Sequence, residues 1–296
     1  MDNHSAPPGS TADRGTLHLV STPIGNLGDI TLRALDILRS VDLIVAEDTR
    51  QSRKLLDRYE IRTPMVAGHE HNEAALAPRI VQRLAGGESV ALITDAGTPL
   101  LSDPGRRLVD AAIAAGHPVS PVPGPSALLA ALVASGLECT RFIYLGFLAR
   151  KGQERATELE FVAASLVTSV IYESPTRLGA TLTELAEVAG PDRPAAVARE
   201  LTKLHEEIRR GTLAELTAYY TEHPARGEIV IVVGPRTARP VDEESLRESA
   251  AGMLAAGHTP REIQAALVTM GAPRNLAYRL AHQPARPSSR QAEQEP

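Results

Sequence analysis

The chain has 296 residues, 31 Lys and Arg against 36 Asp and Glu, 43% hydrophobic residues and a formal net charge of -5. At about 150 residues per domain the length favours two domains, or one with appendages, and the apolar share excludes wholesale disorder. A single cysteine, Cys139, excludes a disulfide-stapled scaffold and a thiolate metal site; no apolar run approaches the ~20 residues that span a bilayer; and the net charge argues against nucleic-acid binding through a general basic surface.

Residues 1–15 mix Pro, Gly, Ser and charge without the apolar core of a signal peptide, and read as a disordered tail on a cytoplasmic protein. From Thr16 short apolar runs alternate with helical stretches. Strands are predicted at Leu17–Ser21, Leu43–Ala46, Val90–Thr94 and Val119–Val122, and helices around 31–39, 51–58, 73–85, 105–115 and 126–135. This alternation is the signature of a parallel sheet covered by helices. After Gly136 the rhythm changes. Strands at Phe142–Gly146, Ser169–Tyr172, Ala195–Glu200 and Glu228–Val233 are separated by helices at 153–165, 176–189 and 213–221. Lys203–Arg209 follows its strand too closely for a helical crossover, so the second sheet is expected to be mixed. Cys139 reads as a small core residue.

The expected fold class is therefore α/β, with one α/β domain over 16–139 and a second over 140–235. A linker at 235–241 leads to a small helical domain over 242–282, with helices at 242–256, 260–270 and 274–282. Thr259 as N-cap and Pro260 at the first helical position mark one helix start. Residues 283–296 are expected to be disordered. His258 to Arg290 carries five Arg against one Glu, among them Arg261, Arg274 and Arg279. That local excess suits a grip on RNA phosphates, or equally an ordinary solvated helix face.

The chain lacks G-x-G-x-x-G after its first strand, a P-loop, H-E-x-x-H and any cysteine cluster. Three loops just beyond predicted parallel strands stand out, where open α/β sheets bind ligands. The first is Thr22-Pro23-Ile24-Gly25-Asn26-Leu27-Gly28-Asp29, whose glycines allow close backbone approach. The second runs from Asp95-Ala96-Gly97-Thr98-Pro99 to Ser102-Asp103-Pro104-Gly105, a carboxylate at a strand tip followed by a proline-stiffened ledge. The third is Pro123-Gly124-Pro125-Ser126-Ala127, a helix start with free N–H groups that suits a carboxylate or phosphate. Each has a plain structural reading as a turn or helix cap.

Together and in this order, the loops resemble the tetrapyrrole methylase superfamily, the class III S-adenosylmethionine-dependent methyltransferases. Five stretches narrow the resemblance to the branch of 16S rRNA (cytidine-1402) 2′-O-methyltransferases: Ser21–Asp29, Ala46-Glu47-Asp48-Thr49-Arg50, His69-Glu70-His71-Asn72-Glu73, Tyr172-Glu173-Ser174-Pro175-Thr176-Arg177 and Ala198-Arg199-Glu200-Leu201-Thr202-Lys203. The resemblance implies two α/β domains with S-adenosylmethionine in the cleft between them, a homodimer, and 16S rRNA in the 30S subunit as partner. It implies cofactor contacts at Asp95, Ala96, Gly97, Thr98, Pro99, Ser102, Gly124, Pro125, Ser126 and Ala127, with Tyr172 and Leu201 from the second domain. Pro23 and the Gly25–Gly28 loop, including Asn26, would face cofactor or substrate.

A ribose 2′-hydroxyl is a poor nucleophile, so a base that takes its proton would matter. The candidates are Glu47 and Asp48 beside Arg50, and Glu200 beside Arg199 and Lys203; each also fits a structural ion pair. His71 and Asn72 are candidate RNA contacts, and the His-x-His pair reads as a polar loop rather than a metal site. Arg177 and Arg199 suit phosphate or a salt bridge. Nine aromatics without Trp argue against reading single-stranded RNA by stacking, which favours a folded site on the assembled subunit. The competing readings are a small-molecule methyltransferase of the same superfamily and a non-catalytic RNA-binding factor.

Overall fold

The computed structural model describes residues 15–236 and 243–282. The expected tails and most of the expected linker lie outside them, as do Arg286 and Arg290. Contacts divide the chain into two units, one ending at Arg236 and the other beginning at Thr237.

The first unit contains two five-stranded sheets. The first holds β1 (Leu17–Val20), β2 (Leu43–Ala46), β3 (Met65–Ala67), β4 (Val90–Ile93) and β5 (Val119–Val122), all parallel in the order β3-β2-β4-β1-β5. Its interior strands read LHLV, LIVA and VALI because both faces are covered. On one face lie α1 (Leu32–Ser40) and α2 (Thr49–Arg58), on the other α3 (Glu73–Ala85) and α4 (Arg106–Ala114). The connections leaving the neighbouring strands β1 and β4 run in opposite directions, which opens a crevice at their carboxyl ends.

The second sheet is mixed, in the order β6-β7-β10-β8-β9: β6 (Phe142–Phe147), β7 (Thr168–Glu173), β8 (Pro194–Arg199), β9 (Glu207–Thr212) and β10 (Ile229–Val233). β8 and β9 form the hairpin that the short spacing required, and β10 is antiparallel to both β7 and β8. Helices α6 (Gly152–Ala164), α7 (Leu178–Ala189) and α8 (Leu213–Glu222) cover one face. The other face is covered by α5 (Ala127–Ser135), which follows the first sheet in sequence but packs on Val170, Ala196, Ala198, Val230 and Val232 of the second. Its sequence ALLAALVAS is apolar all round; Leu128, Ala131 and Leu132 are buried against the sheet, while Leu129 and Val133 are exposed.

β3 is not among the expected strands: it is three half-buried residues, too short to show a period. β9 (EIRRGT), foreshadowed only by the short spacing at Lys203–Arg209, carries a charged pattern stabilised by pairing along all of β8. Cys139 corrects an expectation: it is exposed, in the loop between α5 and β6.

The second unit packs α9 (Glu243–Ala255), α10 (Pro260–Thr269) and α11 (Arg274–His282) around Leu246, Ile263, Leu267 and Leu280. Thr259 caps α10 in a reciprocal capping box with Glu262, and Pro260 sits in the first turn. Arg279 is tied to Glu243, which also pairs Arg247, while Arg261 and Arg274 are exposed.

Candidate active site

The carboxyl ends of β1, β4 and β5 carry the three loops, and backbone chemistry laces them together. Thr22 and Gly97 exchange both main-chain hydrogen bonds, at 2.9 and 3.0 Å. The Thr22 hydroxyl donates to the Thr94 carbonyl at 3.0 Å, and the Thr98 hydroxyl donates to the Pro125 carbonyl at 3.3 Å. The approach is close enough that a Cβ on Gly124 would lie 2.9 Å from that of Ser21. Leu100 and Ser102 hold φ at +76° and +67°, a left-handed conformation costly for residues with side chains. Such strain persists only where its surroundings enforce it. Here the Ser102 hydroxyl lies 2.7 Å from the Tyr144 hydroxyl of the second sheet.

Between the two sheets lies a cleft of about 400 Å³, within the range of small-molecule sites. From the first sheet it is lined by Glu47 and Ile24, by Asp95, Ala96, Gly97 and Thr98, and by Leu101, Ser102 and Asp103. Ser126 and Ala127 close one side. The second sheet supplies Phe147, Tyr172, Leu201 and the stretch Gly227–Val230. Tyr172 accepts a hydrogen bond from the Leu128 N–H at 3.1 Å, which fixes the start of α5 against the cleft.

The electrostatics are one-sided. Among the described residues no Lys, Arg or His lines the cleft, whereas five acidic residues do: Glu173 and Glu228 pair Arg177 and Lys203 behind the lining, and Glu47, Asp95 and Asp103 make no ion pair. Burial raises the pKa of each of these last three, and that of Asp103 is pushed up to about 6, helped by the negative charges of Glu47 and Asp95. The loops also brace each other: the Asp95 N–H points at Glu47 Oε2 at 3.4 Å, and the Asp48 N–H donates to Asp95 Oδ1 at 3.1 Å.

Of the residues expected at the site, Asp95, Ala96, Gly97, Thr98, Ser102, Ser126, Ala127, Tyr172 and Leu201 line the cleft, and Glu47 is the candidate base that reaches it. Pro23, Pro99, Gly124 and Pro125 stand behind the lining as loop supports. Asp48 and Arg50 turn away. Asp48 caps α2 through the Arg50 N–H at 2.8 Å and pairs the Arg50 guanidinium, whose hydrogen bonds hold its carboxyl down to about 2. Arg177 binds Glu173 at 3.3 Å and the Leu148 carbonyl at 2.8 Å, and Arg199 pairs Glu207 at 2.6 Å. Their salt-bridge alternative is the one realised. The Asn72 side chain closes its own turn, accepting from the His69 N–H and donating to the Ala67 carbonyl. His71 is exposed, and no metal-holding cluster occurs among the described residues. Glu73 is buried and accepts the Arg107 and Leu108 N–H groups, supplying the cap that α4 lacks locally.

Glu200 and Lys203 form a clasp rather than an acid–base pair facing the cleft. Glu200 accepts from Lys203 Nζ at 2.9 Å and from the Glu228 N–H at 3.1 Å, and these contacts lower its pKa. The turn that follows grips the first loop, with the Asn26 N–H donating to the Thr202 hydroxyl at 3.1 Å. A Cβ on Gly25 would lie 2.5 Å from Lys203 Cγ and 2.7 Å from the Leu201 carbonyl oxygen. Gly25→Ala is therefore expected to destabilise the fold by about 1–3 kcal/mol and to spoil the cleft. Urea unfolding checks this, and a variant as stable as the parent would show the clasp to be loose.

Sequence reasoning missed Asp103, read only as a helix start, together with Phe147 and Gly227–Val230. The antiparallel placement of β10 brings its first residues beside the last residues of β7 and β8. An expected mixed sheet was the available signal for 227–230, but strand order was not.

Comparison with known proteins agrees with this architecture. The profile of the family described as Tetrapyrrole (Corrin/Porphyrin) Methylases matches residues 16–217. The chain is 50% identical over 268 residues to "Ribosomal RNA small subunit methyltransferase I" of Mesorhizobium japonicum, covering 89% of this chain and 90% of that one. It is 43% identical over 279 residues to the protein of the same name from Bacillus subtilis, covering 92% and 95%. Among solved structures, uroporphyrin-III-C-methyltransferase from Thermus thermophilus aligns at TM-score 0.52 and 22% identity over 75% of this chain and 94% of that one. A diphthine synthase aligns at TM-score 0.58 and 15% identity over 74% and 90%. The structures share the fold, and with the family profile and the near full-length relatives they lead to one conclusion: the chain belongs to the tetrapyrrole (corrin/porphyrin) methylase family.

Proposed function

We propose that the protein is an S-adenosylmethionine-dependent methyltransferase of small-subunit ribosomal RNA, and that its acceptor is the ribose 2′-oxygen of cytidine 1402 in 16S rRNA, presented on the 30S subunit. The observation that carries the reading is the acidic cleft at the switch point of the first sheet. A cleft lined by five acidic residues, three of them without an ion-pair partner, and by no basic side chain suits a ligand that brings its own positive charges, and a sulfonium with an ammonium group does so. Ile24, Leu101, Phe147 and Val230 offer apolar wall to a purine. Kinship with the ribosomal RNA methyltransferases named above supports RNA as the acceptor.

When bound, the cofactor supplies an electrophilic methyl carbon. The residues of this chain then have three tasks. The laced loops around Gly97 and Thr98 form a ledge that holds its position without reorganising. Phe147, Leu101 and Leu201 exclude water from the reacting oxygen. Glu47, whose carboxylate reaches the cleft and is made more basic by burial, accepts the proton of the 2′-hydroxyl. Leu129 and Val133 on α5, 49% and 69% exposed, are the candidate contact between two copies in a homodimer.

Transfer of labelled methyl from S-adenosylmethionine to unmethylated 30S subunits tests the reading. Label recovered as 2′-O-methylcytidine is the expected result. Cofactor binding without label on the RNA would point to a small-molecule acceptor instead.

A further inference from the structure

Strand β6 is irregular where it reaches the cleft. Its pairing with β7 shifts between Tyr144 and Gly146, which leaves Leu145 as the extra residue of a β-bulge, with Gly146 at a left-handed φ of +66°. We infer that this bulge serves the methyl-donor site and that Tyr144 is a positioning residue there: its hydroxyl holds Ser102, and with it the cleft wall formed by Leu101, Ser102 and Asp103; the inference rests on the methyltransferase reading above.

The bulge changes which side chains face the cleft. In a regular strand, residues three apart point to opposite faces. Here Tyr144 stands opposite Val170 and Phe147 opposite Tyr172, two residues that pack on the same side of β7, in the core under α5. Leu145 packs in the core on the other face. The extra residue therefore puts both aromatics on the side of α5 and the cleft. Phe147 reaches the lining itself, and its ring meets that of Tyr172 edge to face at 5.7 Å between centroids. Tyr144 stands behind the lining, its ring edge to face with Tyr172 at 5.0 Å.

What Tyr144 meets there is Ser102. The two hydroxyls share a hydrogen bond of 2.7 Å, and Ser102 makes no other hydrogen bond among the described residues. Ser102 also holds φ at +67°. Leu100, which shares that conformation, is anchored by packing in the core under α3 and α4. Ser102 is exposed and has no apolar anchor, so the bond to Tyr144 is what keeps it in a conformation it would otherwise leave.

The strand is also shaped to come this close. A Cβ on Gly146 would lie 3.0 Å from Ser102 Oγ, so glycine at the bulge serves both the left-handed turn and the approach. The far end of the strut is fixed, because the Tyr172 hydroxyl accepts the Leu128 N–H at the start of α5. Strand, aromatic pair and helix thus present a rigid hydroxyl to one strained serine. A wall fixed before the donor arrives leaves less to order on binding. Without the tie the turn relaxes, and Leu101 and Asp103 on either side of Ser102 leave the cleft wall with it.

The test is titration calorimetry of S-adenosylmethionine against the full-length protein. Tyr144→Phe keeps the ring and removes only the tie. It is expected to weaken S-adenosylmethionine about ten-fold, the worth of one hydrogen bond and of the conformation it holds. In turnover with 30S subunits the loss should fall on KM for S-adenosylmethionine rather than on kcat. Stability in urea should stay close to the parent's, since release of the strained turn offsets the lost bond. Ser102→Ala removes the other half of the tie. The double variant is expected to bind within about two-fold of Ser102→Ala alone, because Tyr144 acts through Ser102. Tyr144→Phe with the parent's affinity overturns the inference and leaves the methyltransferase reading standing, and so does a double variant in which the two losses add in full. A parent protein that does not bind S-adenosylmethionine overturns both.

Discussion

Glu47→Gln is expected to lower methyl transfer to 30S subunits about 10²–10⁴-fold at saturating cofactor, the usual worth of a positioned proton acceptor. The substitution is narrow. Glutamine keeps the size of the side chain and an oxygen for the Asp95 N–H, and removes only the charge and the basicity. The pH profile gives a second readout. Burial raises the Glu47 pKa, so the ionised, proton-accepting form is lost as pH falls through that raised value. The parent rate should therefore climb with pH and level off above it, and the variant should lose that limb. Asp48→Asn serves as the contrast. Asp48 is the helix cap of α2 with its carboxylate already engaged by Arg50, so its loss should leave the rate within about three-fold, and asparagine, itself a good cap, should keep the helix start. If Glu47→Gln retains the parent rate within ten-fold and the same pH limb, the proton goes elsewhere.

The contrast between Glu47 and Asp48 also marks how far sequence could go. The two are adjacent, and composition and spacing treat them alike. Strand β2 ends at Ala46, and the chain turns there so that Glu47 reaches the cleft while Asp48 caps the next helix. That choice depends on where β4 lies, since the Asp48 N–H is held by Asp95 at the tip of that strand. The three loops that meet at the cleft were legible because each follows a short apolar run with Gly and Pro, local chemistry that needs no partner to be recognised. The helices were legible by their periods and caps, Thr259 with Glu262 being the plainest. Residues whose role is fixed by strand order were not. Glu200 and Lys203 resemble an acid–base pair in sequence, yet the hairpin of β8 and β9 folds them onto Gly227 and the Gly25 loop.

Asp103→Asn is expected to make the protein more stable at pH 7 and weaker as a cofactor binder. In the folded chain its carboxyl is pushed up to about 6 from 3.8, chiefly by burial. The folded state therefore holds more protons than the unfolded state between those two values, and stability falls as pH rises through that window. Above it the whole penalty applies. The shift corresponds to about 3 kcal/mol, and partial solvent contact reduces this to about 2 kcal/mol. The neutral amide escapes the penalty, so the gain should appear in urea unfolding at pH 7 and vanish near pH 3, where the parent carboxyl is protonated in both states. A stabilising substitution of this size inside a cleft signals a residue kept for binding. Asp103, Glu47 and Asp95, the three lining carboxyls without an ion pair, repel one another until a cation arrives, and their combined charge then attracts it. Removing one charge is expected to weaken S-adenosylmethionine about ten-fold, and its neutral thioether product less, as titration calorimetry can measure. Equal losses for the two ligands would assign Asp103 to a part they share. No loss at all, with the stability gain intact, would leave the acidic cleft without a role in holding the methyl donor.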